Sequence, residues 1–278
     1  MNSKKLEFQL ADVQTLPDVQ AYVDSRDIAI DKVGVTNVPW AFHFAPTSDS
    51  TAAAQPTIGS ADMFVELPAD KKGTHMSRFA QLIAENQSVL SYRGFVDFFG
   101  SVLERLGATQ VYGTVRFPFF FKCAAPVTGQ PGQLQLKVQI DVSAGETNEV
   151  AVTIAGPATS LCPCSKEISA RGAHNQRCEL TASVTFQPDC EVGVDELFAM
   201  MERAASCSVY PTLKRSDEKS VTEAAYDNPK FVEDIVRDMA VILRNDSRIG
   251  SFRCASENFE SIHQHNAFAE INSKSLQV

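Results

Sequence analysis

The chain has 278 residues, 44% of them hydrophobic, and 34 acidic against 25 basic residues give a formal net charge of −9. That length can bury a substantial core, while the acidic balance and the lack of a basic run exclude a bulk nucleic-acid binder. No apolar stretch approaches the ~20 residues needed to cross a bilayer, and MNSKKLEFQLADVQTLPDVQ lacks a signal peptide's apolar segment, so a cytoplasmic protein with no membrane partner is expected.

Residues 1–25 read as a tail without sustained period. Short strands are predicted over 28–45 and 61–67, separated by the polar loop PTSDSTAAAQPT. Two helices follow, one with Phe79, Leu82 and Ile83 on a shared face, the next with Phe95, Phe98, Val102 and Leu106. Val111, Val115, Phe117, Phe119 and Phe121 then alternate as a strand, as do Leu134, Leu136, Val138, Ile140 and Val142, and a third strand carries Val150, Val152 and Ile154. Short turns between long strands favour antiparallel pairing.

After Cys162-Pro163-Cys164 the pattern partly repeats. Leu180, Ala182, Val184 and Phe186 alternate as a strand, and Leu197, Met201 and Ala204 mark a helix. Asn228-Pro229 is predicted to open the last helix as N-cap and N1. Its buried face would carry Phe231, Val232, Ile235, Val236, Met239, Ile242 and Leu243. A strand pair over roughly 249–257 and 262–272 ends the chain. The fold class is α+β: two tandem modules, 26–156 and 157–278, each an antiparallel sheet with a helix pair on one face.

Three segments could do chemistry. In SLCPCSKEISARGAHNQR, Cys162 and Cys164 flank a proline and His174 follows twelve residues on. Thiolates are nucleophiles and strong ligands for borderline-soft metals; on spacing alone, two ordinary loop cysteines and a solvated histidine fit equally well. Most of the seven cysteines are expected to be small buried residues. In ENFESIHQHNAFAE, His263 and His265 would share one face of a strand, after Glu257 and Glu260. In LKRSDEK, Lys214, Arg215 and Lys219 crowd Asp217 and Glu218, either as a solvated loop or as a metal carboxylate beside phosphate-binding cations. His75 and Arg78 in KGTHMSRF and Glu233 in YDNPKFVED are not singled out by periodicity.

Together KGTHMSRF, SLCPCSKEIS with GAHNQR, LKRSDEK, YDNPKFVED and ENFESIHQHNAFAE resemble the type IB GTP cyclohydrolases, a tunnelling-fold family, over most of the chain beyond residue 60. Ser216 stands where the family pattern has proline. The resemblance implies conversion of GTP and water to 7,8-dihydroneopterin triphosphate and formate, the first step of folate biosynthesis. It implies one divalent ion per active site (Zn²⁺, Mn²⁺ or Fe²⁺) on Cys162, His174, Glu218 and His263. Cys164 would be the essential unligated thiol and Glu260 a further active-site carboxylate. Glu233 would anchor guanine, and Lys214, Arg215, Lys219, His75 and Arg78 would contact triphosphate or ribose. A homo-oligomer is implied, a tetramer with active sites between subunits. The alternatives are a purine-binding nitrile reductase of the same fold, which uses NADPH and no metal, or a non-catalytic metal- or redox-binding protein.

Overall fold

A computed structural model describes residues 17–47, 54–86, 88–146 and 148–276. Period-two segments become strands β1 (Ile30–Phe44), β2 (Gln55–Leu67), β3 (Val111–Ala124), β4 (Pro131–Ala144), β5 (Glu149–Leu161), β6 (Asn175–Phe186), a two-residue β7 (Cys207–Ser208), β8 (Ile249–Asn258) and β9 (Ala267–Asn272). They form one antiparallel sheet in the order β1-β2-β3-β4-β5-β6-β8-β9, with β7 paired to β5. The helices are α1 (Met76–Glu85), α2 (Tyr92–Leu106), α3 (Pro163–Ile168), α4 (Val194–Glu202), α5 (Arg215–Asp227) and α6 (Val232–Arg244).

The order strand–strand–helices–strand–strand occurs twice, as expected of two tandem units. Both contribute to one sheet, because β4 pairs with β5 from Lys137↔Ala155 to Ser143↔Glu149. The core is also shared. Tyr92 of α2 donates to the carbonyl of Val192 at 3.1 Å and stacks on Phe186 of β6, and Phe121 of β3 meets Phe198 of α4 edge-on. The expected division at 156/157 falls inside β5, whose pairing runs unbroken through Gly156↔Leu180 and Pro157↔Glu179.

Alternation sends one face of each strand to the helices. Trp40, Phe42 and Phe44 point inward from the end of β1 and pack with Phe95, Phe98 and Phe117. Each large side chain fully buried there stabilises the fold by about 1.5–3 kcal/mol. Close packing leaves no spare volume at Gly113, where an added Cβ would lie 2.0 Å from the Phe99 ring. Helix α2 starts at Ser91, whose Oγ accepts from Gly94 N at 3.2 Å, and stops at Gly107 with φ 59°.

Several expectations need correction. The first strand is slightly shorter than predicted, and the second is longer, since β2 takes in Gln55-Pro56-Thr57 from the end of the supposed loop; residues 48–53 of that loop lie outside the described residues. The tail is not all tail: Asp24 N donates to the carbonyl of Asp70 and Lys72 N to that of Tyr22, docking 18–24 beside the start of α1. The last helix begins at Val232, not Asn228, because Phe231 N finds its cap in the Asp234 carboxylate at 3.0 Å. Phe231 is exposed. Asn228 instead ends α5, and its amide donates to the carbonyls of Ala205 and Ser206. Residues 261–265 are a bent loop, and β9 starts only at Ala267. Among the described residues, no helix is long and apolar enough to cross a membrane.

Candidate active site

The site grows from the β5–β6 hairpin. Leu161 is paired with Asn175, so the next residues outward, Cys162 and His174, face each other, and Cys162 N donates to the His174 carbonyl at 3.1 Å. Between them Pro163 opens the short helix α3 at its first turn, where its missing N–H costs nothing. Cys162 is its N-cap, with Sγ accepting from Ser165 N at 3.5 Å. Ser165 Oγ binds both sides of the loop, donating to the Cys162 carbonyl and accepting from His174 N, each at 3.1 Å. Cys164, two residues past the cap, is exposed.

Glu260 joins this pair. Phe259 N donates to the Arg177 carbonyl at 3.0 Å, which seats the β8–β9 loop against β6. The Glu260 carboxylate then lies 3.8 Å from His174 Nδ1, both side chains largely covered. Gln176, 8% exposed, stands between them, 2.8 Å from His174 Nδ1 and 3.4 Å from Glu260.

The apolar faces of β5 and β6 end in Ser160 opposite Gln176, both buried. Ser160 begins a polar chain. Asn258 donates to Ser160 Oγ at 2.9 Å and accepts from Ser256, and Ser160 donates to the Lys230 carbonyl at 3.1 Å. Lys230 N in turn donates to the Leu161 carbonyl. The segment leading into α6 is thereby tied one residue from Cys162, and Glu233 is exposed in the first turn of that helix.

Helix α5 covers α3. Lys166 Nζ reaches the carbonyl of Tyr226 at 2.5 Å and lies over its ring. A cleft of about 560 Å³ opens between α5 and the hairpin, lined by Leu161, Gly172, Ala173, Asn175, Tyr226 and Asp227. The other end of α5 is held by Asp217, which is fully buried. Burial alone would raise its carboxyl, but donors from Thr128 Oγ1, Thr128 N, Lys214 N and Val127 N hold it well below the usual range. Asp217 therefore docks α5 on the β3–β4 turn, and Glu218 is left exposed beside it. Lys214 is the N-cap of α5, Arg215 its first residue, and Lys219 pairs with Glu223 at 3.4 Å. Ser216 falls in the first turn, which accepts proline as readily as serine.

The structure thus joins Cys162, His174 and Glu260, with Cys164 and the start of α6 adjoining. It does not gather all four expected ligands: Glu218 is on α5, and His263 is exposed in the 261–265 loop, stacked on His265 at 5.1 Å rather than sharing a strand face. Among the described residues of one chain, no group of three or more His, Cys, Asp or Glu is placed to hold a metal ion. The donors that are assembled, one thiol and one imidazole, suit Zn²⁺, Fe²⁺ or Mn²⁺. His75 and Arg78 lie elsewhere, on α1 against β1, with His75 beside Asp18 at 3.2 Å and Arg78 reaching the Arg105 carbonyl. Five strand spacings, about 24 Å, separate β1 from β6.

Only two of the seven cysteines are buried. Burial pushes the Cys178 thiol up to about 12 and that of Cys254 to about 11, which makes both inert packing residues. Cys190 is exposed, and Cys123 and Cys207 are half-buried. Gln176, Asn258, Ser160 and Asp217 have positions in or around the site that were not foreseen; their signal is burial of a polar side chain, which a single sequence does not display.

Comparison with known proteins shows the family. The family profile described as "Type I GTP cyclohydrolase folE2" matches residues 16–269. The chain is 46% identical over 257 residues to GTP cyclohydrolase FolE2 of Magnetococcus marinus, covering 92% of this chain and 95% of the relative. It is 44% identical over 261 residues to the protein of that name from Herminiimonas arsenicoxydans, covering 93% and 97%. Among solved structures, uricase from Arthrobacter globiformis superposes with a TM-score of 0.50 at 9% identity, over 87% of this chain and 92% of that one. A highly active BTUO mutant reaches 0.52 at 9% identity, over 87% and 99%. At such identity the likeness speaks for the fold alone, and that fold is the tunnelling fold expected. The chain belongs to the type I GTP cyclohydrolase family described as folE2.

Proposed function

We propose that this protein is a metal-dependent GTP cyclohydrolase that converts GTP and water to 7,8-dihydroneopterin triphosphate and formate, supplying folate biosynthesis. The observation that carries the mechanism is the meeting of Cys162, His174 and Glu260 at the mouth of one hairpin, in a chain of this family. A nitrile reductase does not fit that membership, and neither does a non-catalytic metal or redox protein.

Cys162 and His174 would hold one divalent ion, with Glu218 and His263 brought in from α5 and the β8–β9 loop. When bound, such an ion supplies Lewis acidity and water of lowered pKa. The chain's own residues do the rest. Glu233, exposed at the start of α6, would accept from N1–H and the 2-amino group of guanine; adenine lacks those donors, which gives discrimination. The anchoring of Lys230 to Leu161 and Ser160 sets Glu233 at a fixed offset from Cys162. Cys164 is exposed and would move protons at C8 as the imidazole ring opens, and Glu260 would exchange protons on the same side. Lys214, Arg215 and Lys219, around the exposed start of α5, would meet phosphate oxygens.

His75 and Arg78 are too far from β6 to serve the same chain's site. On this reading they serve a neighbouring copy. The outer strands β1 and β9 present edges for such copies to pair, and we infer a homo-oligomer, a tetramer with sites between subunits, in the cytoplasm.

The deciding experiment gives GTP to purified protein loaded with Zn²⁺, Mn²⁺ or Fe²⁺ in turn. Release of formate and a fluorescent pterin after oxidation is expected; no turnover with any of the three overturns the proposal.

A further inference from the structure

We propose that Gln176 is a positioning residue that fixes the tautomer of His174 and the orientation of Glu260 together. This rests on the reading that His174 binds metal. Gln176 lies on the buried face of β6, above Cys178 and Leu180, and opposes Ser160. A polar side chain at the end of an apolar row is retained only if its groups are satisfied. Here the satisfying groups are the imidazole of His174 and the carboxylate of Glu260.

The chemistry of the three groups determines which atom faces which. An ionised carboxylate only accepts, so the amide nitrogen of Gln176 must face Glu260, at 3.4 Å. The amide oxygen is then left for His174 Nδ1, at 2.8 Å. An amide oxygen also only accepts, so Nδ1 carries the proton. In a neutral imidazole that leaves the lone pair on Nε2, the atom free to bind a metal. Turning the amide over would set its oxygen against a carboxylate oxygen and its N–H₂ against a ring nitrogen that must then be unprotonated, with Nε2 blocked by the proton.

Gln176 also separates two groups that would otherwise pair. Glu260 is 3.8 Å from Nδ1, close enough to compete for the same N–H. Because the amide takes that hydrogen bond, the carboxylate is held by a neutral donor. It stays available to the substrate instead of becoming the histidine's own acceptor. One buried amide thereby assigns separate roles to His174 and Glu260.

The test uses the full-length protein and cobalt(II) alone as probe, since a thiolate ligand gives cobalt a charge-transfer absorbance. Gln176→Leu removes both hydrogen bonds; Gln176→Glu keeps an acceptor for Nδ1–H but faces Glu260 with like charge. Cobalt affinity should fall about tenfold or more in the Leu variant, as for other partners of metal-bound histidines. In the Glu variant it should stay within about threefold of wild type while kcat falls and KM for GTP holds, a split that a purely structural role does not produce. A smaller loss in the Leu variant, or a Glu variant that binds as weakly as the Leu variant, overturns the assignment. If the Leu variant does not fold, the Glu variant alone decides: tight cobalt binding with lowered kcat supports the role, and any other result refutes it. Wild-type protein that binds no cobalt and turns over no GTP would instead refute the functional reading beneath.

Discussion

Glu202 offers a quantitative test of the packing around the site's supporting strands. It ends α4, largely covered, beside Cys123 of β3, Cys207 and Ser208 of β7, and Tyr210. Burial pushes its carboxyl up to about 7 from an ordinary 4.5, against the opposing effect of a hydrogen bond from Ser208. The unfolded chain therefore loses this proton first as pH rises. Glu202 contributes its stabilisation fully below about pH 4.5, and that contribution is lost progressively until pH passes about 7. The gap corresponds to at most about 3 kcal/mol, and residual solvent contact brings the expected figure to about 1–3 kcal/mol. The neighbouring thiols and the Tyr210 phenol are themselves raised by burial, so they remain neutral over this range. Glu202→Gln keeps the shape and the hydrogen bond but cannot ionise. Urea unfolding of both proteins, at equal subunit concentration and followed through the single, buried Trp40, measures the difference. The variant should be close to wild type at about pH 5 and more stable by about 1–3 kcal/mol at about pH 8. Parallel stability curves across that range would mean that Glu202 ionises freely and that its surroundings are wetter than the packing implies.

The remaining expectations concern the site and its frame. Cys164→Ala should retain cobalt or zinc binding, read by absorbance or metal analysis, yet release no formate, whereas Cys162→Ala should bind metal far more weakly; equal metal content in the two would overturn that division of labour. Glu233→Gln should lower kcat/KM for GTP by about a hundredfold or more with metal binding intact, because one guanine donor then faces an amide N–H₂. Asn258→Ala should cost about 1–3 kcal/mol in unfolding experiments, since it leaves the buried hydroxyls of Ser160 and Ser256 without their shared partner. Gly113→Ala drives a methyl group into the Phe99 ring and should destabilise by about 1–3 kcal/mol, visible as a lowered Tm with an unchanged metal site.

The strands and the apolar helices were legible because burial wrote a period into them. β4 alternates from Leu134 to Val142, and α6 repeats apolar residues from Val232 to Leu243. Helix α5 left no such trace. Its only buried residues are Asp217 and Ala225, so a periodicity search meets a run of charges and reads a loop. Its end was misread for a related reason. Asn228-Pro229 has the chemistry of a helix start, but tertiary structure used the asparagine amide to hold the carbonyls of Ala205 and Ser206, and the helix waited for a cap at Asp234.

The site shows the same division at the scale of single residues. The twelve-residue step from Cys162 to His174 suggests no known ligand spacing, because the interval is the length of a hairpin loop. What joins the two residues is the register Leu161↔Asn175, and register depends on which faces of β5 and β6 are apolar, a property of strands on either side of the motif. Asp217 and Glu218 are adjacent acids with equal claim, in sequence, to a metal. Fixing α5 to the β3–β4 turn requires one buried acceptor for the donors of Val127, Thr128 and Lys214, and Asp217 fills that need completely. A carboxylate whose lone pairs are so occupied has little left for a ligand. Its neighbour is turned outward by the helix and remains free to act, so the structural commitment of Asp217 is what leaves Glu218 as the candidate metal carboxylate.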